Sequence, residues 1–124
     1  MKFSYGATPR GHYTPAVISR GMVYISGQTS LDGSTGLPAA GGVEAEAMFA
    51  LKKLDPILAA AGCTKNDIVM CRVYMTANED WDPINKAYAE YFGDHKPARI
   101  AVPVKELNKG CKVEIEAIAE LPEE

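Results

Sequence analysis

Residues 68–76 read Ile-Val-Met-Cys-Arg-Val-Tyr-Met-Thr, a β-rich run whose two faces differ in chemistry. Side chains alternate across a strand, so Val69, Cys71, Val73 and Met75 share one face and Ile68, Met70, Arg72 and Tyr74 the other. The first face is apolar and belongs against a core. The second is amphipathic rather than plainly wet. Such a strand suits a sheet that packs on helices on one side and on another subunit on the other.

Upstream, the apolar period changes over residues 43–61. Ala47, Leu51, Leu54 and Leu58 recur at helical spacing and predict a buried stripe. Glu44 and Glu46 near the start favour the positive end of the helix dipole, and Gly62 is a natural stop. Pro56 removes one backbone bond and predicts a kink near the last turns. Thr64-Lys65-Asn66-Asp67 then reads as a turn with local capping. Downstream, Asp82-Pro83 reads as an N-cap followed by a first-position proline. Ile84, Ala87, Tyr88, Tyr91 and Phe92 form the apolar stripe that follows, ended by Gly93.

Farther out lie the remaining strands. Residues 16–19 and 22–26 flank Arg20-Gly21, a hairpin signal. Gly27 interrupts the second of them, which predicts a bulge or a close approach by another group. Residues 30–42, with Gly33, Gly36, Gly41, Gly42 and Pro38, read as a long loop, and long loops in compact domains are often functional. After Pro97, residues 99–104 and 111–121 are two more β-type runs around a turn at 106–110. In the last run Val113, Ile115 and Ala117 alternate with Lys112, Glu114 and Glu116. Residues 1–15 are a short strand at most, then loop. The order β-β-α-β-α-β-β describes one α+β domain over residues 1–124, with both helices on one face of the sheet. The other face needs a cover, and closed cyclic association is the commonest one.

Composition agrees with a globular chain. The 124 residues are 47% hydrophobic and 23% charged with a net charge of −3. The basic residues are scattered and their one adjacent pair, Lys52-Lys53, reads as a solvated helix face, so nothing resembles the basic footprint of a nucleic-acid binder. The three cysteines, Cys63, Cys71 and Cys111, are odd in number and form no CxxC, which fits reduced thiols in a cytoplasmic protein. The first residues lack the apolar run of a signal peptide, and no stretch approaches the ~20 apolar residues of a membrane span.

Chemistry-bearing residues are few. HExxH, GxSxG and P-loop patterns are missing, and two histidines, His12 and His95, do not make a metal cage within one chain. Arg99 stands at the start of a strand before Ile100-Ala101-Val102. A guanidinium there either pairs with an acid or grips a ligand carboxylate bidentately. Glu114 and Glu116 share a face of the last strand. That face is either simply wet, or one of its carboxylates is desolvated, raised in pKa and used to orient a water. Tyr13, Tyr24 and Tyr88 could each bring a hydroxyl to a ligand or serve as core, and Asn85 lies off the apolar stripe of its helix.

Several ordered motifs together resemble the RidA/YjgF family. Met22-Val23-Tyr24-Ile25-Ser26-Gly27-Gln28, with Leu31-Asp32 and Gly36, is similar to its "VYxSGQ…LD…TG" signature. Ala59-Ala60-Ala61-Gly62 before Asp67-Ile68-Val69, then Val73-Tyr74-Met75-Thr76, residues 85–92 and Pro97-Ala98-Arg99, follow in family order. The run Gly110-Cys111-Lys112-Val113-Glu114-Ile115-Glu116-Ala117-Ile118-Ala119 is similar to its C-terminal strand. The resemblance implies a chorismate-mutase-like α+β fold, a homotrimer around a central β-barrel, and sites in the clefts between subunits. It implies hydrolysis of reactive 2-imino acids to 2-keto acids and ammonia without metal or organic cofactor. By position, Arg99 would bind the substrate carboxylate and Glu116 the attacking water, with Tyr13, Ser26, Gly27, Asn85 and Ala101 lining the cleft.

This chain departs from the family pattern at Ile100-Ala101, where Ser followed by Cys or Thr is common, and at Pro15, which replaces a Gln. Three readings therefore stand at the level of sequence: an imine deaminase, a non-catalytic carboxylate-binding or chaperone-like protein on the same fold, and an RNA-cleaving protein. The acidic balance weighs against the last.

Overall fold

The computed structural model describes residues 2–3 and 11–123. Within them, β1 (Lys2–Phe3), β2 (Ala16–Ser19), β3 (Met22–Thr29), β4 (Leu31–Asp32) and β5 (Leu37–Pro38) precede helices α1 (Val43–Lys52) and α2 (Leu54–Ala60). Then come β6 (Ile68–Met75), α3 (Trp81–Phe92), β7 (Ala98–Pro103) and β8 (Val113–Glu120). The main sheet runs β1-β2-β3-β8-β6-β7, while β4 and β5 pair as a separate ribbon. All pairings are antiparallel except β6 with β7. Parallel neighbours need a crossover, and α3 supplies it. Residues 4–10, part of the expected N-terminal loop, lie outside the described residues.

The β2–β3 hairpin closes through Arg20 and Gly21, both at positive φ (52° and 79°). This two-residue turn matches the right-handed twist of its strands. The sheet buries one face. Val23, Ile25, Cys71, Val73, Met75, Val113, Ile115 and Ala117 point into a core completed by Ala47, Leu51, Leu54 and Leu58 and by the whole expected stripe of α3. Burying a leucine such as Leu51 contributes roughly 1.5–3 kcal/mol.

Three local expectations need correction. The helix over 43–61 is two helices broken at Lys53, ahead of Pro56. Pro56 has no N–H for the Lys52 carbonyl and its ring crowds that carbonyl, so the chain divides there instead of kinking near its end. Helix α3 begins at Trp81, after a 3-10 turn at Asn78–Asp80, so Pro83 is its third residue and Asp82 is not the cap. The proline still lies in the first turn, where its missing N–H leaves no bond unmade. On β6, Ile68 is buried and Val69 exposed, the reverse of simple alternation. A shift in pairing with β8 between Ile68 and Met70 inserts one residue and flips the strand's start.

The segment read as a long loop carries the β4–β5 ribbon and is fastened from beneath. Glu46, 5% exposed, accepts from Ser30 Oγ at 2.8 Å and from the Lys112 backbone N–H at 3.1 Å. It thus ties the loop to α1 and to the start of β8, a role its place near the helix N-terminus did not announce. Glu46→Ala strands a buried hydroxyl and a backbone N–H. It should lower unfolding free energy by about 2–4 kcal/mol, read from the urea midpoint at unchanged slope.

Among the described residues, the opposite face carries no helix. Val17, Tyr24, Ile118, Met70 and Ala98 are successive cross-strand partners over five strands. They form an apolar row, and Tyr24 and Ile100 beside it are 46% and 48% exposed. No helix among the described residues is long and apolar enough to cross a membrane.

Candidate functional site

Arg99 is the second residue of edge strand β7 and lies level with Cys71. Cys71 points into the core, so Arg99 is on the helix side of the sheet, against α3. Its Nη1 donates to Asn85 Oδ1 at 2.8 Å. The guanidinium lies 4.7 Å from the Tyr88 ring centroid and 5.6 Å from that of Trp81. The ion pairs among the described residues are Arg72–Glu116 and Lys86–Glu44, so Arg99 has no acid partner. A planar cation steered by an amide and two aromatic faces keeps most of its five N–H donors for a ligand. A cavity of about 390 Å³ opens beside it, lined by Asn85, Tyr88, Phe92, His95 and Lys96. Beneath, burial pushes the Cys71 thiol up to about 11, which makes it an inert core group, and raises the Tyr88 phenol as well. Cys63 and Cys111 are also buried and unbridged.

A second cavity, about 580 Å³, lies at the other end of the sequence motifs, lined by Tyr13, Ser26, Gly27, Lys53, Asn108 and Glu114 among others. Gly27 sits where the β3–β8 register shifts between Ile25 and Gln28, the expected bulge. Ser26 fastens the preceding segment, its Oγ donating to Thr14 O at 2.6 Å and its N–H to Pro15 O at 2.9 Å. This holds Tyr13, 53% exposed, at the mouth. The expected close approach at Gly27 is by Glu114: a Cβ there would collide with Glu114 Oε2.

The two acids of β8 divide in role. Glu116 is engaged, accepting from the Tyr74 hydroxyl and lying 3.8 Å from Arg72 Nη1. Glu114 has neither partner. Burial, then the neighbouring Glu116 charge, lifts its carboxyl above the ordinary glutamate value. Of the two carboxylates that the sequence leaves open as the desolvated one, Glu114 is raised by burial.

The chain does not bring all the expected residues together. Arg99, Asn85 and Ala101 lie on the helix side of the β7 edge, Ala101 level with Val73. Tyr13, Ser26, Gly27 and Glu114 gather at the other cavity, and Glu116, level with Arg72, is on the helix-free face. Two residues were missed. Lys53 was read as solvated helix face but is half-buried at the helix break and lines the second cavity. Trp81 opens α3 and sets its ring 5.6 Å from the Arg99 guanidinium. The break that Pro56 forces was the available signal for Lys53; nothing in the sequence marked Trp81.

Comparison with known proteins follows this geometry. The family model described as Endoribonuclease L-PSP matches residues 5–121. A protein of Mus musculus named 2-iminobutanoate/2-iminopropanoate deaminase is 46% identical over 109 residues, covering 88% of this chain and 81% of that one. The Homo sapiens protein of the same name is 42% identical, covering 88% and 80%. Among solved structures, the YjgF gene product of E. coli superposes with a TM-score of 0.87 at 33% identity, covering 97% of this chain and 98% of that one. E. coli TdcF with bound serine superposes with a TM-score of 0.84 at 34% identity, covering 96% and 94%.

Proposed function

Because the chain belongs to the RidA/YjgF family, whose model is described as Endoribonuclease L-PSP, we propose that it hydrolyses small reactive 2-imino acids to 2-keto acids and ammonia. The observation that carries this reading is Arg99: a cation without an acid partner among the described residues, held by Asn85 and stacked on Tyr88 beside a cavity. It fits a ligand carboxylate, and the serine bound by TdcF is a ligand of that class.

An imine carbon is already electrophilic. Its hydrolysis needs orientation, a placed water and a proton carrier more than a nucleophilic side chain. Arg99 fixes the carboxylate and hence the C=N group. Glu114 takes a proton from water as its oxygen bonds to the imine carbon, and the proton passes to nitrogen. Collapse of the carbinolamine breaks the C–N bond, forms the carbonyl and releases ammonia. Glu116, two residues along the strand, acts as the like charge that helps hold Glu114 up in pKa, in place of the water-orienting role assigned to it by position.

Within one chain Arg99 and Glu114 belong to different cavities, so the reading includes a homotrimer in which one subunit's Arg99 meets its neighbour's Glu114, Gly27 and Tyr13. The apolar row on the helix-free face gives association a driving force. The buried unpaired cysteines suit the cytoplasm. Ala101 in place of a Cys or Thr leaves only its backbone to contact substrate, which favours a small-carboxylate-binding role as the second reading.

A trapping assay decides between them. An amino-acid oxidase generates 2-iminopropanoate or 2-iminobutanoate, and semicarbazide captures what survives. The deaminase lowers the captured fraction of both. A chain that binds 2-oxobutanoate yet leaves capture unchanged is the binding protein instead.

A further inference from the structure

Lys53 occupies the break between α1 and α2 with its side chain on the wall of the larger cavity, the one shared with Tyr13, Gly27, Asn108 and Glu114. Its Nζ donates to the Leu31 carbonyl at 2.6 Å and lies 5.3 Å from the Phe49 ring centroid. These contacts fix the ammonium without neutralising it: among the described residues no carboxylate is within ion-pair distance. One of its three donors is used. Burial, opposed by Cys111 and Asp32, lowers its pKa. Leu31 itself is held in place through the Ser30–Glu46 bond. A half-desolvated, pre-positioned cation without a contact ion pair, which feels Asp32 only at longer range, gains more from a bound anion than a solvated lysine does.

We infer that this cavity selects ligands whose side chain ends in a second carboxylate, with Lys53 as its counter-ion. The inference rests on the deaminase reading for the first carboxylate, which Arg99 holds. The substrate class is then 2-imino dicarboxylic acids, and the reaction that supplies them is the two-electron oxidation of an amino acid with an acidic side chain by a flavin- or nicotinamide-dependent enzyme, which takes the hydride.

The test uses the stable keto products, so that recognition is measured apart from turnover. The intact protein is titrated calorimetrically with 2-oxoglutarate and with 2-oxobutanoate, as wild type, Lys53→Met and Lys53→Arg. Wild type should bind 2-oxoglutarate about 10-fold tighter. Lys53→Met should bring that ratio to about one, and Lys53→Arg should keep most of it. Equal affinities in wild type, or a ratio untouched by Lys53→Met, overturn the inference. The trapping assay is run in parallel on 2-iminobutanoate and on 2-iminoglutarate, the latter generated from glutamate by an amino-acid oxidase. A Lys53-dependent ratio without imine hydrolysis upholds the second-carboxylate site and defeats the deaminase reading. Hydrolysis with no such ratio does the reverse.

Discussion

Arg99→Ala should lower kcat/KM for 2-iminobutanoate hydrolysis by about 10²–10³-fold while the protein stays folded. The expected loss follows from what the side chain does in the free protein. Among the described residues it pairs with no acid and donates to the neutral Asn85 amide, so its charge is available to a carboxylate. A bidentate charge-assisted pair in a partly dry site accounts for a loss of that size. The stability effect is small, because Arg99 is half-buried on an edge strand and its stacking on Tyr88 is worth about 0.5–1 kcal/mol. Arg99→Lys retains the charge but loses the planar fork and the stack, and should recover only a minor part of the rate. The trapping assay reads the rate, and circular dichroism and thermal unfolding read the fold. An Arg99→Ala protein that hydrolyses imines at the wild-type rate removes the carboxylate clamp from the mechanism.

The architecture was legible because each element's signal is local. The core face of β8, the α3 stripe and the Arg20-Gly21 turn are periodicities or turn chemistries that tertiary contacts do not override. What escaped depended on neighbours remote in sequence. Glu114 and Glu116 are two residues apart on the same face, and nothing in Val-Glu-Ile-Glu-Ala separates them. Tyr74 and Arg72, on the adjacent strand, engage one of them, while the bulge at Gly27 folds β3 over the other. Glu46 was likewise read from its helix position, whereas its partners, Ser30 and Lys112, come from two other segments. Lys53 shows a third case, in which a proline three residues downstream moved a surface position to a cavity wall.

Glu114→Gln should lower kcat about 10²-fold, and more than Glu116→Gln does. Wild-type activity depends on the ionised Glu114, so it should fall as pH drops through that group's raised value, and Glu114→Gln should abolish this acidic limb. Burial and the Glu116 charge both lift the carboxyl. Glu116→Gln removes the second cause and should move the limb to lower pH. Stability runs the other way. A carboxyl whose folded pKa exceeds its unfolded value contributes stability that is fully present below the unfolded value and lost as pH rises through the folded one. At neutral pH the ionised Glu114 therefore costs stability, and Glu114→Gln should raise the urea midpoint while it lowers the rate, a trade expected of a site group. Gly27→Ala offers an independent approach, since its Cβ displaces the Glu114 carboxyl without touching its ionisable chemistry. Because that carboxyl is a movable side-chain end, the variant should fold and lose activity together with Glu114→Gln. Mixed assemblies provide the last discrimination. If Arg99 of one subunit works with Glu114 of the next, refolding Arg99→Ala chains with Glu114→Gln chains creates clefts holding both native residues. Activity should then exceed that of either variant alone. If both residues act within one chain, every cleft in the mixture carries a defect, no activity returns, and the inter-subunit site falls.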